Sequence, residues 1–108
     1  MVGKKVYLQP KGTVLQAACD IVELLRGKPT IGDTANGIIS TRVSMYGNKW
    51  EIRFTVTDIG RNRSSVTIEI VGKRSEKRKE IRSMFALLDS MLIAEAEIEF
   101  EDNSSSEK

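Results

Sequence analysis

Apolar and polar positions divide the chain into short alternating runs and two stretches of helical spacing. Val6 and Leu8 alternate with Lys5 and Tyr7, which reads as a strand over Lys4–Gln9 ended by Pro10 and Gly12. Leu15, Ala18, Cys19, Val22 and Leu25 then recur every three or four residues, predicting a helix over 14–26 with Asp20 and Glu23 on its other side. Thr13 and Gln16 have the spacing of a capping box, and Gly27 with Pro29 mark the stop. Residues 27–37, GKPTIGDTANG, are rich in turn formers and are expected to form the longest loop.

Three runs of period two follow. Ile39, Thr41, Val43 and Met45 alternate with Ser40, Arg42 and Ser44. Trp50, Ile52, Phe54 and Val56 alternate with Glu51, Arg53, Thr55 and Thr57, and Val66, Ile68 and Ile70 with Ser65, Thr67 and Glu69. Tyr46–Lys49 and Ile59–Arg63 lie between the runs and hold the Gly and Asn that hairpins use, so the segment reads as an antiparallel meander with one apolar face. Gly72 ends the last strand and Ser75 is the expected N-cap of a second helix. Its Ile81, Met84, Phe85, Leu88, Met91 and Leu92 form a broad apolar stripe fit to cover the sheet. From Ala94 to Glu101 small or apolar residues alternate with glutamates, which suits a strand, and a continued helix would crowd those glutamates at its negative end. Asn103–Lys108 is expected to be a disordered polar tail on a single domain spanning 1–102.

The predicted class is α+β, in the order β-α-β-β-β-α with a final strand if 94–100 adopts one, and with both helices packed on one face of an antiparallel sheet. By element order over residues 4–93, the arrangement resembles the two-layer plan of one repeat of the TATA-box-binding protein, or a shortened helix-grip domain. No motif of either family accompanies the likeness, so no functional residue is carried over. TATA-box recognition inserts apolar wedges between base steps from the exposed sheet face. The corresponding face here offers Ser40, Arg42, Ser44, Glu51, Arg53, Thr55, Thr57, Thr67 and Glu69.

Charge sharpens this picture. The net charge is +2, yet Met1 to Arg82 carries 16 Lys and Arg against 8 Asp and Glu, while Ser83 to Lys108 carries 1 against 7. Such a split favours contact with a polyanion, a tail that shields it, or association of unlike ends. The candidate anion or nucleic-acid contacts are Arg61, Arg63, Lys73, Arg74, Lys77, Arg78, Lys79 and Arg82. They lack the aromatic platforms or motif that nucleic-acid binders add.

Chemistry is sparse. The chain has no histidine and one cysteine, Cys19, on the apolar side of the first helix, where a thiol acts as a small hydrophobe. Glu51 and Glu69 on the solvated face stay ionised beside Arg42 and Arg53. No metal spacing and no nucleotide-binding loop occurs, so the expected domain is non-catalytic and holds no cofactor. Met45, Trp50, Phe54, Met84, Phe85, Leu88 and Met91 are large enough to line an apolar ligand pocket between the second helix and the sheet. No run has the length of a membrane helix or signal peptide, so a cytoplasmic location without membrane contact is expected. The first reading is therefore an interaction domain that forms a homo-oligomer, its open sheet edge covered by another copy or by residues 94–100. Electrostatic nucleic-acid binding through 73–82 stands second and apolar ligand binding third.

Overall fold

A computed structural model of the protein describes residues 2–25, 28–45, 48–71 and 78–101. In chain order these form β1 (Val2–Tyr7), α1 (Lys11–Leu24), β2 (Lys28–Asp33), a 3-10 turn (Thr34–Asn36), β3 (Ile38–Met45), β4 (Asn48–Gly60), β5 (Arg63–Val71), α2 (Arg78–Asp89) and β6 (Glu99–Glu101). Every strand pair is antiparallel and the sheet order is β2-β3-β4-β5-β1-β6. The class is the expected α+β.

The meander follows its predicted periods. Ile39 lies opposite Phe54, Phe54 opposite Ile68, Ile52 opposite Ile70 and Val56 opposite Val66, so one face of β3, β4 and β5 is apolar apart from the buried Thr41 opposite Ile52. Val14, Ala17, Ala18, Ile21 and Val22 of α1 and Ile81, Met84, Phe85 and Leu88 of α2 are buried against it in one core. Both helices therefore share that face. The β4–β5 connection is a two-residue turn in which Arg61 (φ 48°) and Asn62 (φ 57°) are both left-handed, the backbone whose twist matches a hairpin.

Several local expectations change. Of the loop expected over 27–37, Gly27 lies outside the described residues and 28–36 form strand β2 followed by the 3-10 turn. Pairing with β3 outweighs the turn-rich composition here: β2 is at the sheet margin, where Pro29 is tolerated, and its register slips between Pro29 and Ile31. The Thr13–Gln16 capping box does not form. Extended Pro10 (ψ 160°) precedes the first helical residue, Lys11, and no side chain caps the helix, while Gln16 donates to Asp20 one turn on. The second helix ends at Asp89 rather than Leu92, because Met91 and Leu92 both donate their N–H to Leu88 in a closing turn, which leaves Met91 exposed. The expected Ser75 cap and the 103–108 tail lie outside the described residues. Finally, the alternating segment 94–100 pairs only in part, through a Tyr7–Ala94 bridge and the three residues of β6. Six steps of chain from Ala94 to Phe100 face four from Gly3 to Tyr7, so two residues are in excess and the ladder breaks.

Strand β1 turns Gly3, Lys5 and Tyr7 inward and Leu8 outward, so the apolar partners of its alternation are not the buried ones. A Cβ on Gly3 would sit 2.6 Å from Ile81 Cγ2 and 3.1 Å from Phe85 Cε2, so α2 lies directly on the β1 backbone.

Candidate functional site

The chemistry of the molecule gathers on the seam where β1, α2 and the C-terminal segment meet. Among the described residues Lys5 is the only buried charged side chain, carried inward by its place between Gly3 and Tyr7. Its Nζ lies 2.7 Å from Asp89 Oδ2, and the hydroxyl of fully buried Tyr7 donates to Asp89 Oδ1 at 2.7 Å. Asp89 is the last residue of α2, where the negative end of the helix disfavours a carboxylate. The ammonium of Lys5 offsets that field. Burial, and then the hydrogen bond and charge of Asp89, hold the Tyr7 phenol far above its usual range, so it stays protonated. Burial, with Asp20 and Glu23 adding to it, likewise raises the Cys19 thiol. Neither is an activated nucleophile.

The C-terminal segment runs along the free side of β1 and is tied at both ends. At one end Leu8 donates its N–H to Ile93 O, Glu95 donates its N–H to Val6 O, and the Ile93 N–H reaches Gln9 Oε1. Arg63 directs Nε and Nη2 onto Glu95 Oε1 at 2.8 and 2.7 Å, an ion pair open to solvent and worth under about 1 kcal/mol. At the other end Phe100 lies opposite Gly3, with the guanidinium carbons of Arg78 and Arg82 at 5.0 and 5.4 Å from its ring centre. Arg78 and Arg82 meet the same ring because they are one helical turn apart.

The anion-contact residues named from sequence do not form one patch. Arg61 and Arg63 sit at the β4–β5 turn beside the Tyr7 end of β1, whereas Arg78, Lys79 and Arg82 sit at the Gly3 end, where Ile81 packs. Gly3 lies opposite Ile68, so the run of β5 from Arg63 to Ile68, about 17 Å at ~3.3 Å per residue, separates them. Lys73, Arg74 and Lys77 lie outside the described residues.

The apolar set is divided as well. Trp50, Phe54, Met84, Phe85 and Leu88 are buried in the core, Met91 is exposed, and the Met45 side chain lies outside the described structure. A cleft of about 510 Å³ lies elsewhere, between the first turns of α1 and the turn after α2, lined by Gly12, Thr13, Gln16, Ala17, Asp20, Met91 and Leu92. It shares only Met91 with the predicted set.

The outer face of the β3–β5 meander is polar, as expected. Glu69 lies opposite Arg53 and pairs with it at 3.4 Å, and Glu51 lies opposite Arg42, so both of these acids have a cation beside them. No group of three or more His, Cys, Asp or Glu suited to a metal occurs among the described residues, and no described helix is long and apolar enough to cross a membrane.

Lys5, Tyr7, Asp89 and Phe100 were not singled out from sequence. The alternation over Lys4–Gln9 carried the signal for the first two, but periodicity does not say which set faces inward. Against protein-family models and curated proteins the chain matches no family model and no curated sequence, so its functional reading rests on this geometry.

Proposed function

We propose that this domain is a non-catalytic interaction module that self-associates. The observation that carries the reading is the pair Leu8 and Ile93, joined by a backbone hydrogen bond at the end of β1 and exposed by 44% and 61%. Two adjacent large aliphatic side chains, with exposed Met91 in the neighbouring turn, suit burial against another protein surface. The non-catalytic part is supported by the state of the reactive groups: Tyr7 and Cys19 are held protonated and Asp89 is paired with Lys5. Light scattering at high micromolar concentration tests the reading. The expected mass is twice 12.1 kDa, reverting to the single-chain value in Ile93→Lys. A wild-type mass of one chain under those conditions refutes it.

Electrostatic nucleic-acid binding is a second reading, favoured by exposed Arg78, Lys79 and Arg82 on the first turns of α2. It predicts retention of a labelled duplex whose log affinity falls linearly with log salt, with a slope of about 0.9 per phosphate neutralised. No retention at low ionic strength removes it.

A further inference from the structure

We propose that the free side of β1, together with Arg78 and Arg82, is a strand-accepting groove for an extended acidic peptide bearing an aromatic side chain, and that Glu99–Glu101 fills it as an internal ligand. The inference does not depend on self-association. Its geometry is that of strand addition, in which backbone pairing supplies affinity and side-chain pockets supply selectivity.

The backbone component is a short ladder: Val2 opposite Glu101, Gly3 opposite Phe100 and Lys4 opposite Glu99. The selective component is the ring of Phe100, within cation-π reach of two guanidiniums, while the exposed Glu99 faces exposed Lys4 across the strands. The groove thus reads an aromatic preceded by a carboxylate. Ile98, half-buried, adds one apolar contact over Gly3, at 3.5 Å from the position a Cβ would take there.

The occupant is also separable from the rest of the fold. Its neighbour in sequence, Ala94–Glu95, is anchored independently at the other end of β1 by the Tyr7 bridge, the Val6 carbonyl and Arg63. The two excess residues between the anchors form a slack connection, so β6 can leave with the Ala94 anchor in place, giving up the Phe100 contact with Arg78 and Arg82. A three-residue ladder is the least stable kind of sheet element, and an external strand with the same chemistry competes for its place. Because the internal strand is tethered, it competes at high effective concentration, and the apparent affinity of an external peptide falls by the fraction of molecules with the groove open.

The test uses the full chain with Phe100→Ala, which weakens the internal ligand and leaves β1, Arg78 and Arg82 intact. The probe is a fluorescein-labelled peptide with the sequence of Ala96 to Glu101, followed by anisotropy. Saturable binding at least tenfold tighter than to wild type is expected, with at least a tenfold loss when the peptide carries alanine for phenylalanine or lysines for glutamates. Adding Arg78→Ala and Arg82→Ala to the Phe100→Ala chain is expected to weaken it at least fivefold. Absence of saturable binding, equal binding of the altered peptides, or binding of labelled single-stranded DNA in place of the peptide each overturns the proposal. Should Phe100→Ala lose its circular dichroism signal, amide exchange of the wild-type chain decides. Exchange in Glu99–Glu101 at least tenfold faster than in central β5 supports a separable strand, and equal protection overturns it.

Discussion

Replacing Gly3 by alanine tests the contact on which the seam is built. In an exposed strand the change stabilises by about 0.5 to 1 kcal/mol, because glycine loses more backbone freedom on folding. Here the new Cβ would sit 2.6 Å from Ile81 Cγ2 and 3.1 Å from Phe85 Cε2, both fully buried neighbours. The nearer atom is the β-branch of a helical isoleucine, whose χ1 is confined to one rotamer, so relief requires α2 itself to move. Overpacking of this kind costs about 1 to 3 kcal/mol, so at the middle of both ranges it outweighs the backbone gain and leaves a net loss of about 1 kcal/mol. Urea denaturation followed by fluorescence of Trp50, the only tryptophan and a buried one, measures it, with an unchanged m-value expected. The cause is checked by adding Ile81→Leu, which removes the β-branch at nearly constant volume. The double variant is expected to recover about half of the loss as a non-additive coupling. A neutral or stabilising Gly3→Ala, or strictly additive effects, refutes direct packing of α2 on β1.

Other perturbations separate the remaining contacts. Tyr7 has a higher pKa folded than unfolded, so its contribution is complete below about pH 10 and is lost as pH rises from there. Wild-type stability is expected to fall by a further factor of about ten in the folding constant per pH unit, relative to Tyr7→Phe, and parallel pH profiles would falsify this. Asp89→Asn strands a buried ammonium and is expected to cost about 1 to 3 kcal/mol in thermal melts, whereas Lys5→Met removes the charge and costs less; the reverse order rejects the pairing. Phe54→Ala and Leu88→Ala, both at fully buried positions, are each expected to cost about 2 to 5 kcal/mol in urea melts. Thr55→Ala, on the outer face, is expected to cost far less, and the opposite ranking places the strand one residue out of register.

The sequence by itself determined the parts whose energetics are local or periodic. The alternation through Ile39–Met45, Trp50–Thr57 and Ser65–Ile70 specified three strands and their buried faces, since a shift of one residue would turn every Ile, Val and Phe outward. Asn62 in a turn that demands positive φ, and the Ile81–Leu88 stripe, were equally readable. Tertiary structure decided what depends on partners distant in the chain. Lys28–Asp33 has the composition of a loop and becomes a strand only because β3 offers it a ladder. Helix α1 starts at Lys11 without the cap its residues could supply. On β1 the apolar Leu8 lies outside and Lys5 inside, because Gly3 lets α2 approach and Asp89, 84 positions from Lys5, neutralises the buried ammonium. The separation of the basic residues to opposite ends of β1, and the meeting of Phe100 with Arg78 and Arg82, likewise follow from topology. Where neither set of an alternation is wholly apolar, as on β1, periodicity reports only which residues share a face; which face is buried, and what a charge on it meets, is set by the elements that pack there.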